Sequence, residues 1–287
     1  MGLRELVMLA LVVSILCSVL AFGLQGTWDD VVYVFRRPGL LVRSLLAVFV
    51  LTPAVVVLLV RVFDFRPEVE VALVSLAISP MPPLLPKKLG KAGGHSSYAI
   101  GLMVTLGLVA IVAVPLLLVV IGQVTGRPLG MAAGAIATKV LTMIVAPLVV
   151  GLVLRAAAPK LAATLLKVVT ATANVLLPLG LLALLPTVLP AMWATIGEGT
   201  LVAMVLFVVA GLAIGHVLGG PDQDKATVLA IATASRHPAI ALSIATTNFP
   251  EGHFGATILL FAVLSAIACL PYIAWQKGRI AAAFHPA

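Results

Sequence analysis

Residues 226–247 read ATVLAIATASRHPAIALSIATT, two short apolar runs that are separated by Ser235-Arg236-His237-Pro238. Proline interrupts a helix because it lacks an N–H group and its ring clashes with the preceding turn. Neither run alone has the roughly 20 residues that a helix needs to cross a bilayer. Together the two runs predict one membrane-spanning helix that is broken near its middle.

A second interruption lies in the first half of the chain. The apolar run Val71 to Ser79 ends at Pro80-Met81-Pro82-Pro83, and an apolar segment resumes at Leu84. Irregular backbone at membrane depth is tolerated only where it is buried in protein or lines a cavity, because lipid cannot satisfy free N–H and C=O groups. We therefore predict that two broken helices cross at a binding site. The alternative interpretation is that both breaks are packing kinks.

The composition identifies the bilayer as the solvent. Hydrophobic residues make up 62% of the 287 residues and charged residues 10%, and the mean hydropathy is +1.22. The apolar runs do not alternate with polar residues, as the strands of a membrane β-barrel would. The fold class predicted is all-α, a single polytopic membrane domain over residues 1–287 with about nine transmembrane helices.

The spans follow from the apolar runs and the Gly, Pro and charged residues between them. They are predicted at Leu3–Leu24, Gly39–Phe63, Val71 through the first break, Ser96–Gly122, Leu129–Leu154, Leu161–Leu189, Trp193–Leu218, Ala226–Thr247 with the second break, and Phe254–Trp275. Each broken helix is the next-to-last element of its half. This arrangement predicts inverted repeats, the first over about 1–122 without its first helix and the second over about 129–278.

Basic residues are distributed unevenly between alternate loops. One side contains Arg36, Arg37, Arg43, Lys87, Lys88, Lys91, Arg155, Lys160, Lys225, Lys277 and Arg279, against Arg4, Arg61, Arg66 and Arg127 on the other. Because cytoplasmic loops carry the excess of Lys and Arg, we predict an inner-membrane protein with its N-terminus outside and its C-terminus in the cytoplasm.

Three basic residues well inside predicted spans stand out, namely Arg236, His237 and Lys139, whereas all ten acidic residues fall in loops or near helix ends. A cation at the bilayer centre costs roughly 2.5–3.5 kcal/mol on insertion scales, so each should face protein, water or an anion. The cavity is therefore predicted to be electropositive. Alternatives stay open: Lys139 can snorkel to the interface, Arg236 can bind the carbonyls that the break frees, and His237 can be a satisfied buried histidine.

Polar and breaking residues complete the predicted substrate site. The Ser and Thr residues among them have an alternative role, because isolated Ser and Thr in membrane spans commonly hydrogen-bond to the backbone of their own helix. The full set is Arg236, His237, Ser235, Thr233, Pro82, Pro83, Lys139, Thr105 and Asn174.

Several classes of function are disfavoured by the sequence. The short basic groups alternate with apolar runs, which indicates membrane orientation rather than nucleic-acid binding. Neither a His-Glu-x-x-His motif nor paired intramembrane carboxylates are present, so we expect no enzyme. Cys17 and Cys269 lie in apolar segments and predict no metal site and no disulfide.

Three motifs resemble the bile acid:sodium symporter family. Its Gly-Leu and Arg-Arg-Pro connector is similar to Phe22-Gly23-Leu24, which is followed here by Asp29-Asp30 and by Phe35-Arg36-Arg37-Pro38. Its Pro-Leu-x-x-Gly helix ending is similar to Pro147 to Gly151. Ile231 to Ala245 parallels its second crossing helix. The resemblance implies a core domain with two crossing broken helices, a panel domain that moves against it, and a site between them.

The sodium ligands of that family do not carry over. Where its second broken helix usually has Glu and then Gln-Asn, this chain has Ala232 and then Arg236-His237, and where its first break usually has Ser-Asn, this chain has about Leu85-Pro86. We therefore predict no cofactor and doubt sodium coupling.

The sequence as a whole favours a secondary transporter of a small organic anion by alternating access, with the lipid bilayer and that anion as its partners. The alternatives are a sodium-coupled, bile-acid-like symporter and a membrane channel or receptor.

Overall fold

A computed structural model describes residues 3–82, 96–125, 130–197 and 199–284. Throughout these ranges the regular secondary structure is helical, with no strand. The predicted all-α class is confirmed. Pro83 and the predicted continuation of the first broken helix from Leu84 lie outside the described residues.

The first half begins with α1 (Leu3–Gln25) and the short α2 (Trp28–Val31). It continues with α3 (Pro38–Val62), which contains a π-helical segment at Leu46–Leu51. The next helices are α4 (Pro67–Ile78) and α5 (Ser96–Thr125). The sequence analysis did not predict α2, which lies in the polar connector.

The second half begins with α6 (Ala133–Ala157), which has its own π-helical segment at Leu141–Val145, and the long α7 (Pro159–Thr195). The remaining helices are α8 (Thr200–Gly219), α9 (Gln223–Ala234), α10 (Pro238–Asn248) and α11 (Gly255–Phe284).

Eight described segments are long and apolar enough to cross a membrane, if α9 and α10 are taken together as one broken span. They correspond to eight of the nine predicted spans. The ninth begins with α4, whose 12 residues are too few to cross alone, and its continuation falls in the range that is not described. The protein is thus a polytopic α-helical membrane protein.

One predicted boundary is wrong by several residues. The sixth span was predicted to end at Leu189 and the seventh to begin at Trp193, but α7 continues to Thr195 and α8 begins at Thr200. The turn is set by glycine: Gly199 has a φ of +78°, in the left-handed region that side chains with a Cβ disfavour. The apolar pattern alone did not reveal this turn.

The connector between α1 and α3 is fixed by a reciprocal capping box. The Thr27 hydroxyl accepts from the Asp30 backbone N–H, and the Asp30 carboxylate accepts from the Thr27 backbone N–H at 2.7 Å. Burial favours the neutral carboxyl of Asp30, but hydrogen bonds from Ser97 and Thr27 outweigh it and lower the pKa of Asp30. The Ser97 contact attaches α2 to the start of α5.

Glycines and alanines bring α8 and α9 into close contact. Gly211, Gly215 and Gly219 form a stripe on α8, and it faces Ala226, Ala230 and Ala234 on α9. A Cβ at Gly215 would lie 2.5 Å from the Leu229 carbonyl oxygen. Small residues of this spacing let membrane helices approach each other with good van der Waals contact. The first arm of the broken helix is therefore held firmly against α8.

A second close contact joins α1 and α6 through the motifs that carry the family resemblance. A Cβ at Gly23 would lie 2.9 Å from the Gly151 Cα, and a Cβ at Gly151 would lie 2.6 Å from the Leu20 carbonyl oxygen. With α7, these helices form one packed group, which we call the panel group (α1, α6 and α7). The crossing group comprises α3, α4, α5 and α8 to α11.

The α8–α9 packing predicts the effect of one methyl group. Gly215→Ala should lower the melting temperature by several degrees, because the added Cβ overlaps the backbone of α9 and overpacking costs about 1–3 kcal/mol. Gly134→Ala is the matched control, since a Cβ there meets nothing within 4 Å. Thermal unfolding of the purified protein checks this, and equal effects of the two variants would contradict the close α8–α9 contact.

Candidate functional site

The two helix breaks touch each other through their backbones. The His237 N–H donates to the Pro80 carbonyl at 2.8 Å and to the Ser79 hydroxyl oxygen at 3.2 Å. The helix α4 ends because Pro80 disfavours the helical conformation at Ser79, whose ψ is 147°. The end of α4 therefore meets the second break, and we call this contact the crossing. The second arm of the first broken helix, which the predicted crossing near Pro82 and Pro238 also requires, lies outside the described residues.

Arg236 joins three separate segments at this crossing. Its Nη1 donates to the Ser79 carbonyl at 3.0 Å and to the Val48 carbonyl at 3.3 Å. Val48 lies in the π-helical segment of α3, where the regular α-helical hydrogen-bond register is interrupted. The Thr52 hydroxyl bonds the neighbouring Ala47 carbonyl at 2.7 Å. The guanidinium thus satisfies carbonyls that the π segment and the first break release.

Two of the three guanidinium nitrogens of Arg236 have no hydrogen-bond acceptor among the described residues. The side chain is 3% exposed, and among the described residues neither Nε nor Nη2 has a hydrogen-bond acceptor. The Phe207 ring covers one face of the Arg236 guanidinium, and the distance from the ring centroid to Arg236 Cζ is 5.7 Å. Buried polar groups are nearly always hydrogen-bonded, so the Nε and Nη2 donors can each bind an acceptor beyond those that the described residues supply.

His237 is buried and caps the second arm of the broken helix. Its Nδ1 accepts from the Ile240 N–H at 3.4 Å, and its side chain is 2% exposed. Lys139, half-buried on α6, interacts electrostatically with it across the boundary between the panel and crossing groups. A proton on His237 would add a third positive charge beside Arg236 and Lys139 and would compete with the cap.

The other predicted site residues are distributed differently. Ser235 and Thr233 are buried at the end of α9, where the Thr233 hydroxyl donates to the Leu229 carbonyl of its own helix at 2.6 Å. Pro82 is half-buried. Thr105 is fully buried on α5, and its hydroxyl has no partner among the described residues. Asn174 is exposed on α7.

Three contributors to the site were missed by the sequence analysis: Ser79, Phe207 and the Val48 carbonyl. Ser79 stands immediately before the first break, so its position was a usable signal. The π-helical register that presents the Val48 carbonyl has no signature in an apolar run. No group of three or more His, Cys, Asp or Glu residues that could hold a metal occurs within the described ranges.

Comparison with known proteins identifies one family. The model of the Sodium Bile acid symporter family matches residues 8–192, more than half of the chain. The match ends before α8, so it does not include the second broken helix with Arg236. No curated protein matches the chain.

The unpaired donors make a prediction about stability without ligand. Arg236→Met keeps a similar length and removes a buried charge that has incomplete hydrogen bonding, but it also removes the donor of the Ser79 and Val48 carbonyls. Because these two effects oppose each other, the melting temperature should change by no more than a few degrees. Thermal unfolding of the purified variant and parent protein in a buffer free of organic anions measures this difference in melting temperature. A fall of ten degrees or more would mean that the Arg236 guanidinium is chiefly structural.

Proposed function

Because this chain belongs to the sodium bile acid symporter family, we propose that it is a secondary transporter that carries a small organic anion by alternating access. The observation that supports the proposal is the Arg236 guanidinium at the helix crossing. It is fully enclosed by protein, and its Nε and Nη2 atoms are without acceptors among the described residues.

A buried cation needs a counter-charge. Desolvation of an unpaired ion costs several kcal/mol, and neither of the ion pairs found within the described ranges, Arg36 with Asp29 and Lys225 with Asp222, involves Arg236. An anionic substrate would supply the counter-charge. Because Nε and Nη2 share one edge of the planar guanidinium, they can donate two parallel hydrogen bonds to a carboxylate or sulfonate.

The same guanidinium gives a reason for independence from sodium. Its Nη1 bonds the Ser79 and Val48 carbonyls, oxygen atoms of the kind that bind hard cations. Arg236 and His237 also stand where the family resemblance would place Gln-Asn ligands. A fixed positive charge at this crossing performs the role that a bound sodium ion performs in a sodium symporter. The runner-up function is a sodium-coupled, bile-acid-like symporter.

Alternating access would follow from movement of the crossing group against the panel group. Inverted repeats over about 1–122 and 129–278 would relate the two broken helices. Lys139 belongs to the panel group and Arg236 to the crossing group, so a substrate anion between them would be attracted by both. Its binding would reduce the repulsion that opposes closure of one group on the other.

The anion-binding role of Arg236 predicts a graded loss of affinity. Arg236→Gln deletes the charge and should weaken anion binding on the order of tenfold to a hundredfold, since a charge-assisted hydrogen bond contributes about 1.5–3 kcal/mol. Arg236→Lys should retain part of the affinity. Thermal shift and uptake into proteoliposomes measure this with a panel of organic carboxylates and sulfonates. Lys167→Gln is the matched control, because Lys167 is exposed on α7.

Near-normal binding by Arg236→Gln would contradict the proposal. The ion dependence is tested with the same panel by replacing sodium with choline at constant pH and membrane potential, and uptake should persist. Uptake that disappears without sodium would favour the runner-up, whereas steady conductance in a planar bilayer would favour a channel.

The positive-inside distribution supports an inner-membrane location with the N-terminus outside. A cysteine at Ala157 should react with an impermeant thiol reagent only from the cytoplasmic side, and a cysteine at Ala191 only from outside. Both positions are exposed, Ala157 at the end of α6 and Ala191 near the end of α7. Labelling is measured in a background without Cys17 and Cys269. The opposite pattern would reverse the orientation.

A further inference from the structure

A hydrogen bond fixes the start of α6 beside the end of α10. The Gly130 N–H donates to the Asn248 Oδ1 atom at 2.8 Å. Gly130 comes shortly before Ala133, the first residue of α6, and Asn248 is the last residue of α10. The two helices therefore meet at one surface of the membrane. From that surface α6 runs into the membrane, whereas α10 runs back out to it.

This contact sets the depth of Lys139 relative to the second break. Lys139 follows Ala133 by six residues on α6, and His237 precedes Asn248 by eleven residues. At a rise of about 1.5 Å per residue, Lys139 lies roughly 9 Å along α6 from its start, and His237 lies roughly 16 Å along α10 from its end. Lys139 is therefore at a depth between that membrane surface and the crossing. The electrostatic interaction of Lys139 with His237 agrees with this placement.

Lys139 lies on a side of α6 that faces protein. Residues three and four apart share one face of a helix, and the neighbours of Lys139 at these spacings are Ile136 and Met143. Ile136 is fully buried, and Met143 is partly buried against the hydrophobic core. Lys139 is itself half-buried. Its stem therefore packs in the protein, and its ammonium group is placed on the panel group at the side of the proposed site.

The two cations, Lys139 and Arg236, have no carboxylate partner in the part of the chain that the structure describes. Neither of the ion pairs found there involves Lys139 or Arg236. Nine of the ten acidic residues lie in the described ranges, and the tenth, Glu198, belongs to the turn between α7 and α8. A substrate with one negative charge would leave one of the two cations without compensation in a partly desolvated site, which is costly.

We propose that the substrate is a dianion whose two negative groups lie several carbons apart, one bound by Arg236 and the other by Lys139. The inference rests on the proposed function, in which Arg236 binds an anion. One carboxylate does not serve both cations, because the Nε and Nη2 edge of Arg236 engages both of its oxygens. The two residues also differ in depth by roughly 7 Å, from the helix rise of about 1.5 Å per residue. A second anionic group at the far end of the substrate reaches Lys139.

The two cations differ in what they recognise. The Arg236 guanidinium is a planar fork that fits a carboxylate or sulfonate, whereas the Lys139 ammonium is a compact charge on a flexible stem that accepts several anionic groups. Lys139 also belongs to the panel group, so a dianion joins the panel group to the crossing group. A monoanion held by Arg236 alone binds the crossing group without making that connection, and it should therefore be bound more weakly and transported more slowly.

Matched diacids and monoesters test the dianion. Binding of succinate, glutarate, adipate and terephthalate, and of the monomethyl ester of each, is measured by calorimetry on the purified full-length protein at neutral pH, where every free carboxyl group is ionised. At least one diacid should bind about tenfold or more tightly than its own monoester, because the ester removes one charge-assisted hydrogen bond. Lys139→Gln should abolish that difference and leave monoester binding unchanged, and Lys139→Arg should retain it.

Lys167→Gln is the matched control, since Lys167 is exposed on α7, and it should leave the preference for the diacid unchanged. The absence of any preference between a diacid and its monoester, or a preference that persists in Lys139→Gln, would overturn the dianion. The proposed function is tested separately by Arg236→Gln. If that variant loses monoester binding, Arg236 still binds an anion even when the dianion is overturned, whereas monoester binding that does not depend on Arg236 would contradict the proposed function itself.

Discussion

A bilayer offers no hydrogen-bonding partner to an interrupted helix, and the arrangement of the crossing follows from that constraint. The N–H of His237 bonds the carbonyl of Pro80, and the guanidinium of Arg236 bonds carbonyls from the first break and from α3. The two breaks and the π-helical segment of α3 thus supply hydrogen-bond partners to one another's backbone groups.

Close packing makes this mutual satisfaction possible. The glycine stripe of α8 holds α9 near enough to fix the position of Arg236, and Gly23 with Gly151 fixes α1 against α6 on the other side of the proposed interface. Small residues therefore do more than fill space here. They hold the helices of each group in close contact. The edge of the Arg236 guanidinium that has no acceptor among the described residues lies in the crossing group, where we propose that an anion completes its hydrogen bonding.

Much of this could be predicted from the chain because its strongest signals are local. Apolar length predicted the spans, proline predicted both breaks, and the charge beside Pro238 identified Arg236 as a candidate site residue. Tertiary features could not be predicted. The exposure of Asn174 depends on the rotation of α7, and the π segment at Val48 has no distinct composition. The turn at Gly199 differs, because Gly197-Glu198-Gly199 is a usable turn signal that the predicted seventh span wrongly included.

The central claim is that an anionic substrate completes the hydrogen bonding of Arg236 without sodium. A structure determined in sodium-free medium, with a bound carboxylate that carries a heavy atom, tests this most directly. We predict two ligand oxygens within about 3 Å of Nε and Nη2, with the Ser79 and Val48 carbonyls still bonded to Nη1. A ligand bound elsewhere, or a sodium ion held by those carbonyls in a sodium-containing structure, would contradict the account.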